Sequence, residues 1–210
     1  MRLTYCVQLA DLGSVRELGT TQLDLSVAVV TAWYRPPELV LKSNNYTSSV
    51  DMWSIGCVLL ELLDGEALFP GTEESMIATL LAIRGAPSKT TWKKCFASLP
   101  AAPKSLKDIA TVTVYVGSRQ PYAQGGLLVC AACDSPILVE HSDRTFEQRT
   151  ASFSKATRNF LVELLEYDPS KRISAAHALR HEFFKEEPLP APFCFSEDDF
   201  PQASRVEGSE

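Results

Sequence analysis

The chain has 210 residues, 45 % hydrophobic and 22 % charged, which suits one domain, or one lobe of a domain with tails. Its net charge of −6 and the lack of any Lys/Arg run exclude nucleic acid as the primary partner. The N-terminus carries no apolar run of signal-peptide length, and the longest apolar stretch, Met52 to Leu63, contains Glu61 and is too short for a bilayer, so the expectation is an intracellular chain with no membrane partner.

In chain order, Tyr5 to Ala10 alternates weakly and reads as a short strand. Asp11 to Arg35 is a long loop of little periodicity, and loops of that length in a compact domain are usually functional or disordered. Tyr46 to Asp64 reads as a helix, capped by Ser48 or Ser49, with Asp51 in its first turn and Gly65 beyond its end. Apolar residues wrap nearly all of it, which predicts burial on most sides. After the turn Leu68-Phe69-Pro70-Gly71, Thr72 caps a second helix with Glu73 and Glu74 in its first turn, stopped by Gly85 and Pro87. A third helix is expected from about Lys155 to Glu166, and a fourth from Ala175 to about His181, capped by Ser174. The Pro-rich stretch Pro188 to Pro192 is an extended linker, and the acidic tail from Ser196 lacks a core pattern. Residues 101–152 carry Val, Gly, Ala and Cys without helical period or polar alternation, and no element is assigned there. The resulting units are 1–100, 101–152, 153–187 and 188–210.

Most of the metal-type signals are weak. Cys130 and Cys133 form a Cys-x-x-Cys with His141 downstream, but structural zinc takes four ligands and no second pair exists. His177 and His181 lie four apart on the last helix and could face one way, but no metal is assigned to them, and six cysteines at irregular spacings form no disulfide framework.

The specific signal is a set of three stretches at fixed order. Asp11-Leu12-Gly13 is followed by Val29-Val30-Thr31-Ala32-Trp33-Tyr34-Arg35-Pro36-Pro37-Glu38 and then Asp51-Met52-Trp53-Ser54-Ile55-Gly56-Cys57; far downstream comes Tyr167-Asp168-Pro169-Ser170-Lys171-Arg172-Ile173-Ser174. Together they resemble the activation segment and C-terminal lobe of protein kinases of the cyclin-dependent kinase (CMGC) group. The resemblance covers Tyr5 to Pro100 and Thr157 to Pro190. Gly85-Ala86-Pro87-Ser88 with Trp92, and Ala178 to Pro190, look like the PITSLRE-type subgroup.

The fold this implies is mainly α: a protein-kinase-like C-terminal lobe without the β-rich N-terminal lobe and the catalytic loop. The resemblance also implies roles. Asp11 matches the Mg²⁺-holding carboxylate, with Leu12 replacing the usual Phe. Ser26 lies where the group carries its activating phosphosite, and Arg16 matches one of the arginines that hold the phosphate. Val29, Val30, Thr31 and Arg35 match the substrate-binding wall that prefers Ser/Thr followed by proline. Glu38 matches the glutamate closing the activation segment, Arg172 its ion-pair partner, and Asp51 a buried aspartate bonded to the catalytic loop; outside that context Asp51 is a solvated first-turn carboxylate.

The parent activity implied is ATP- and Mg²⁺-dependent transfer of phosphate to protein Ser/Thr, with a cyclin as possible partner. The Gly-rich loop, nucleotide lysine, its glutamate partner, the catalytic aspartate and the second metal-holding asparagine have no match in the 210 residues. No catalytic residue is therefore assigned, and the chain alone is expected to be inactive. The alternative is a pseudokinase-like module that binds substrates or regulators. From Ala110 to about Glu147 the resemblance breaks, which fits either a lineage-specific insert or translated intron.

Overall fold

The computed structural model describes residues 9–15, 32–71, 76–100, 145–187 and 189. Among them the regular structure is helical: α1 (Pro37–Val40), α2 (Ser49–Asp64), α3 (Met76–Arg84), α4 (Lys89–Cys95), α5 (Phe146–Thr150), α6 (Lys155–Leu164) and α7 (Ala175–Ala178). Short 3-10 turns lie at Leu12–Ser14, Ala32–Tyr34 and Glu182–Lys185. Of the strand expected at Tyr5 to Ala10, only Leu9 and Ala10 are described, and they are irregular. Thr72 to Ser75 and residues 101–144 lie outside the described residues, as does the region after 189.

Helix α2 is the spine. It starts at Ser49, later than expected, because the side chains before it bond to one another. Thr47 Oγ1 takes the Ser49 N–H at 3.3 Å and sits 2.9 Å from Ser49 Oγ, while the Ser48 side chain caps nothing. Gly65 ends it in the left-handed region at φ 86°, where a Cβ would be strained, and its N–H bonds to Glu61 O. One side of α2 is packed: Met52, Trp53, Gly56, Cys57 and Leu60 are buried. Gly56 is required there because a Cβ would meet Leu165 Cδ2 at 2.9 Å and Leu164 Cβ at 3.0 Å, at the crossing with α6.

The expectation of burial on most sides is corrected. Ile55, Val58, Leu62 and Leu63 are 48, 45, 78 and 43 % exposed. Asp51, Ile55, Val58 and Leu62 are spaced by four, three and four residues, so they form one continuous solvent-facing stripe.

Two clusters fill the space around the spine. The larger joins Trp53, Cys57 and Leu60 of α2 to Leu68, Phe69, Met76, Leu80, Trp92, Phe96, Phe146, Leu161 and Tyr167. Trp53 stacks on Phe69 with ring centroids 5.9 Å apart. The smaller joins Met52 to Phe160, Leu164 and Ala178, with Phe183 and Phe184 against it. Phe160 stacks between Phe183 at 5.0 Å and the His181 ring at 4.8 Å. His181 Nδ1 accepts the Phe183 N–H, which gives this histidine a definite structural role.

Helix α4 had no counterpart in the sequence reading. Ser88 caps it by accepting the Thr91 N–H, and Trp92 and Phe96 point inward. The last helices are shorter than expected. α6 stops at Leu164 and α7 at Ala178, short of the expected ends at about Glu166 and His181, and the His181 side chain caps a separate 3-10 turn, Glu182–Lys185.

Candidate functional site

Tyr34 lays the segment from Ala32 to Glu38 on α2 through two polar contacts. Ser54 Oγ donates to Tyr34 O at 2.9 Å, and Tyr34 Oη donates to Glu61 Oε2 at 2.8 Å. The hydrogen bond to Glu61 is the main reason the Tyr34 hydroxyl titrates above its ordinary value. Trp33 Nε1 donates to Gly71 O at 2.7 Å. Pro36 and Pro37 then start α1, which suits proline because the first helical N–H groups have no intrahelical acceptor.

Glu38, in the first turn of α1, meets Arg172 from the other end of the chain. Arg172 Nη1 donates to Glu38 Oε1 at 2.8 Å and Nη2 to Oε2 at 3.1 Å, a two-pronged pair. Arg172 also donates to Ser49 O at 2.8 Å and to Glu166 O at 2.9 Å, and its guanidinium lies 5.2 Å from the Trp53 ring centroid. Both partners are buried. The brace thus ties α1, the start of α2 and the loop after α6 at one point.

Beside it, Asp168 organises the loop that presents Arg172. Its carboxylate accepts from Lys94 Nζ at 2.8 Å, Ser170 N at 3.1 Å and Ser170 Oγ at 2.6 Å. Burial alone would raise this carboxyl, but the Lys94 ammonium and the Ser170 donors outweigh it and hold it well below the usual carboxylate range. A carboxyl depressed in the folded state stabilises the fold above its ordinary pKa of about 3.9 and loses that contribution as pH falls below it. Asp168→Asn is therefore expected to flatten the acid side of the stability curve. Urea midpoints at pH 5 and pH 3 check this: the gap between them narrows in the variant.

The remaining residues matched by resemblance divide into two sets. Asp11 is exposed, with its backbone in the left-handed region at φ 59°, immediately before the turn Leu12–Ser14. That conformation is costly for a residue with a Cβ, by roughly 1–2 kcal/mol. Arg35 is buried, and Asp51 is exposed in the first turn of α2, the solvated alternative. Arg16, Ser26, Val29, Val30 and Thr31 lie outside the described residues, as do Cys130, Cys133 and His141. Among the described residues no three His, Cys, Asp or Glu side chains come together as a metal site, and no helix is long and apolar enough to cross a membrane.

Sequence reasoning missed Arg149. It is fully buried, donating through Nε to Asp64 Oδ2 at 2.6 Å, through Nη1 to Ala67 O at 3.1 Å and through Nη2 to Glu66 O at 2.5 Å. The signal was Thr145-x-x-Gln148, a capping box that starts α5: Gln148 N donates to Thr145 Oγ1, and Thr145 N to Gln148 Oε1.

The helical spine, the braced segment on its flank and the pair joining distant ends are features of a protein-kinase-like fold. The comparisons agree. The protein kinase domain model matches residues 2–184, and the chain belongs to the protein kinase family, in its cyclin-dependent-kinase-like part. It is 34 % identical over 186 residues to cyclin-dependent kinase 10 of Rattus norvegicus, covering 88 % of this chain and 43 % of that protein. It is 35 % identical over 185 residues to the serine/threonine-protein kinase PITSLRE of Drosophila melanogaster, covering 88 % of this chain and 17 % of that one. The structure is similar to a chain of the yeast RNA Pol II CTD kinase CTDK-1 complex, with TM-score 0.62 and 30 % identity, over 87 % of this chain and 51 % of the other. The chain therefore spans less than half the length of these two curated relatives.

Proposed function

We propose that these residues form the C-terminal lobe of a cyclin-dependent-kinase-like Ser/Thr kinase, and that the 210-residue chain by itself transfers no phosphate. The observation that carries the reading is the Glu38–Arg172 brace, which holds the segment ending at Glu38 against the spine. The exposed apolar stripe on α2 suits the first half, since one lobe of a larger enzyme would offer such a surface for other segments to cover. Phosphoryl transfer relies on positioning and charge, and the groups that would grip the nucleotide have no counterpart in the sequence.

Protein kinases as a family use ATP with Mg²⁺, the metal neutralising charge on the phosphates. Asp11 suits that ion in donor chemistry, a hard oxygen on a fixed turn, but one carboxylate does not hold it alone. In the assembled enzyme Asp11 would supply one ligand, with the rest coming from nucleotide, water and groups outside this set. Arg35, with Val29, Val30 and Thr31, would line the peptide groove, selecting Ser/Thr before proline, a residue with no N–H to leave unpaired. Phosphorylated Ser26 would be held in part by Arg16. A cyclin-type partner, protein substrates and an intracellular location, nuclear or cytoplasmic, complete the proposal.

The chain incubated with radiolabelled ATP, Mg²⁺ and a Ser-Pro peptide is expected to give no incorporation above a protein-free control. Metal-dependent turnover by the isolated chain would overturn the claim of inactivity.

A further inference from the structure

We propose that Arg149 is a positioning residue for the substrate-side segment, acting on Trp33 through the loop from Gly65 to Gly71. The inference rests on the reading of that segment as a peptide-binding wall.

The starting point is an unfavourable local arrangement. Asp64 is the last residue of α2, where the helix dipole disfavours a carboxylate. Its side chain is only 10 % exposed, so little water reaches it. Arg149 arrives from α5, far along the chain, and its Nε meets that carboxylate at 2.6 Å. The other arms of the same guanidinium take the carbonyls of Glu66 and Ala67. One planar cation thus fixes the helix end and the carbonyls of two residues just beyond Gly65 together, which a point-charge ammonium cannot do. α5 is itself held, with Phe146 in the larger core cluster and its capping box closed.

The loop continues from this clamp without slack. Leu68 and Phe69 are buried beside Trp53, and Gly71 then offers its carbonyl to Trp33 Nε1 at 2.7 Å. Trp33 lies between Thr31 and Arg35, both assigned to the substrate wall. It is 37 % exposed, so packing alone does not lock it; the hydrogen bond to Gly71 is its directional restraint. Where Arg149 sets the position of the loop, it sets the height of the Gly71 carbonyl and hence the pose of Trp33.

The test reads Trp33 directly and needs no catalysis. The chain has three tryptophans, and the other two, Trp53 and Trp92, are buried. The full chain with ¹⁵N-labelled tryptophan gives one indole N–H signal per residue, and Trp33→Phe assigns one of them. In Arg149→Lys, which keeps the charge opposite Asp64, the Trp33 signal is expected to shift and its hydrogen exchange to quicken by roughly tenfold, the effect of one lost hydrogen bond. The Trp92 signal stays in place, showing that the core is intact, while the Trp53 signal is free to move with the loop because its ring stacks on Phe69. Arg149→Met is expected to do the same more strongly. If either variant melts earlier while the Trp33 signal and its exchange are unchanged, Arg149 is only a core brace and the inference is wrong. In an assembled kinase carrying these residues, Arg149→Lys is expected to raise KM for the peptide with little change in kcat. A moved Trp33 signal with unchanged KM would keep the positioning role and overturn the substrate-wall reading instead.

Discussion

Replacing Arg172 by methionine is expected to cost the fold about 3–5 kcal/mol, because it strands a buried carboxylate. Small domains are stable by only about 5–15 kcal/mol, so a change of this size brings the chain near its limit. Arg172 takes two oxygens of Glu38 and the carbonyls of Ser49 and Glu166, and it covers the Trp53 ring. Its loss leaves acceptors unsatisfied in three separate elements. Glu38→Leu has a comparable cost for the mirror reason, leaving the guanidinium buried beside an apolar group. The double variant is expected to be much less damaging than the two costs added, since removing both charges removes the penalty of an unpaired one. Urea denaturation of the four proteins measures the coupling directly. Additive losses would show that the pair contributes only packing.

The second large effect changes sign with context. Ile55→Gln, Val58→Gln and Leu62→Gln together are expected to leave the unfolding midpoint of the isolated chain nearly unchanged, because surface substitutions away from special contacts fall within about 0.5 kcal/mol each. They should also reduce self-association, read by sedimentation, since they break the apolar stripe on α2. In an assembled kinase the same three changes should be severe. Fully burying each Ile, Val or Leu is worth about 1.5–3 kcal/mol, and glutamine there would forfeit that and add unpaired amides. If the triple variant unfolds the isolated chain, the stripe is part of its own core. If it leaves an assembled kinase untouched, the stripe is not a covered surface.

Local chemistry made the spine legible in the sequence. Asp51 in the first turn, the apolar run to Leu63 and Gly65 beyond the end give α2 to within three residues at its start. What the periodicity could not reveal was which side of a helix apolar all round is packed. That depends on the end of α6, where Leu164 and the following Leu165 come against Gly56 from more than a hundred residues downstream. The Glu38–Arg172 contact was nameable only through the family resemblance, because nothing local to either residue points to the other. Helix α4 was hidden by its length: Trp92, Cys95 and Phe96 are too few apolar positions to outweigh the polar residues between them, though Ser88 marked its start. Arg149 was hidden by its type, since a single arginine ordinarily reads as surface, and only the Thr145–Gln148 capping pattern announced the helix that buries it.

The most direct test grafts these residues into an enzyme that resembles them. In the yeast CTDK-1 kinase, the matched half of the kinase chain is replaced by this sequence, and the complex is assembled with its own partners and assayed on a peptide from the RNA Pol II CTD. Mg²⁺-dependent phosphate transfer, lost on Asp11→Asn, is the expected result. A graft that assembles and melts cooperatively yet transfers nothing, or transfer that survives Asp11→Asn, would contradict the assignment of these residues as a kinase lobe with Asp11 as its metal ligand.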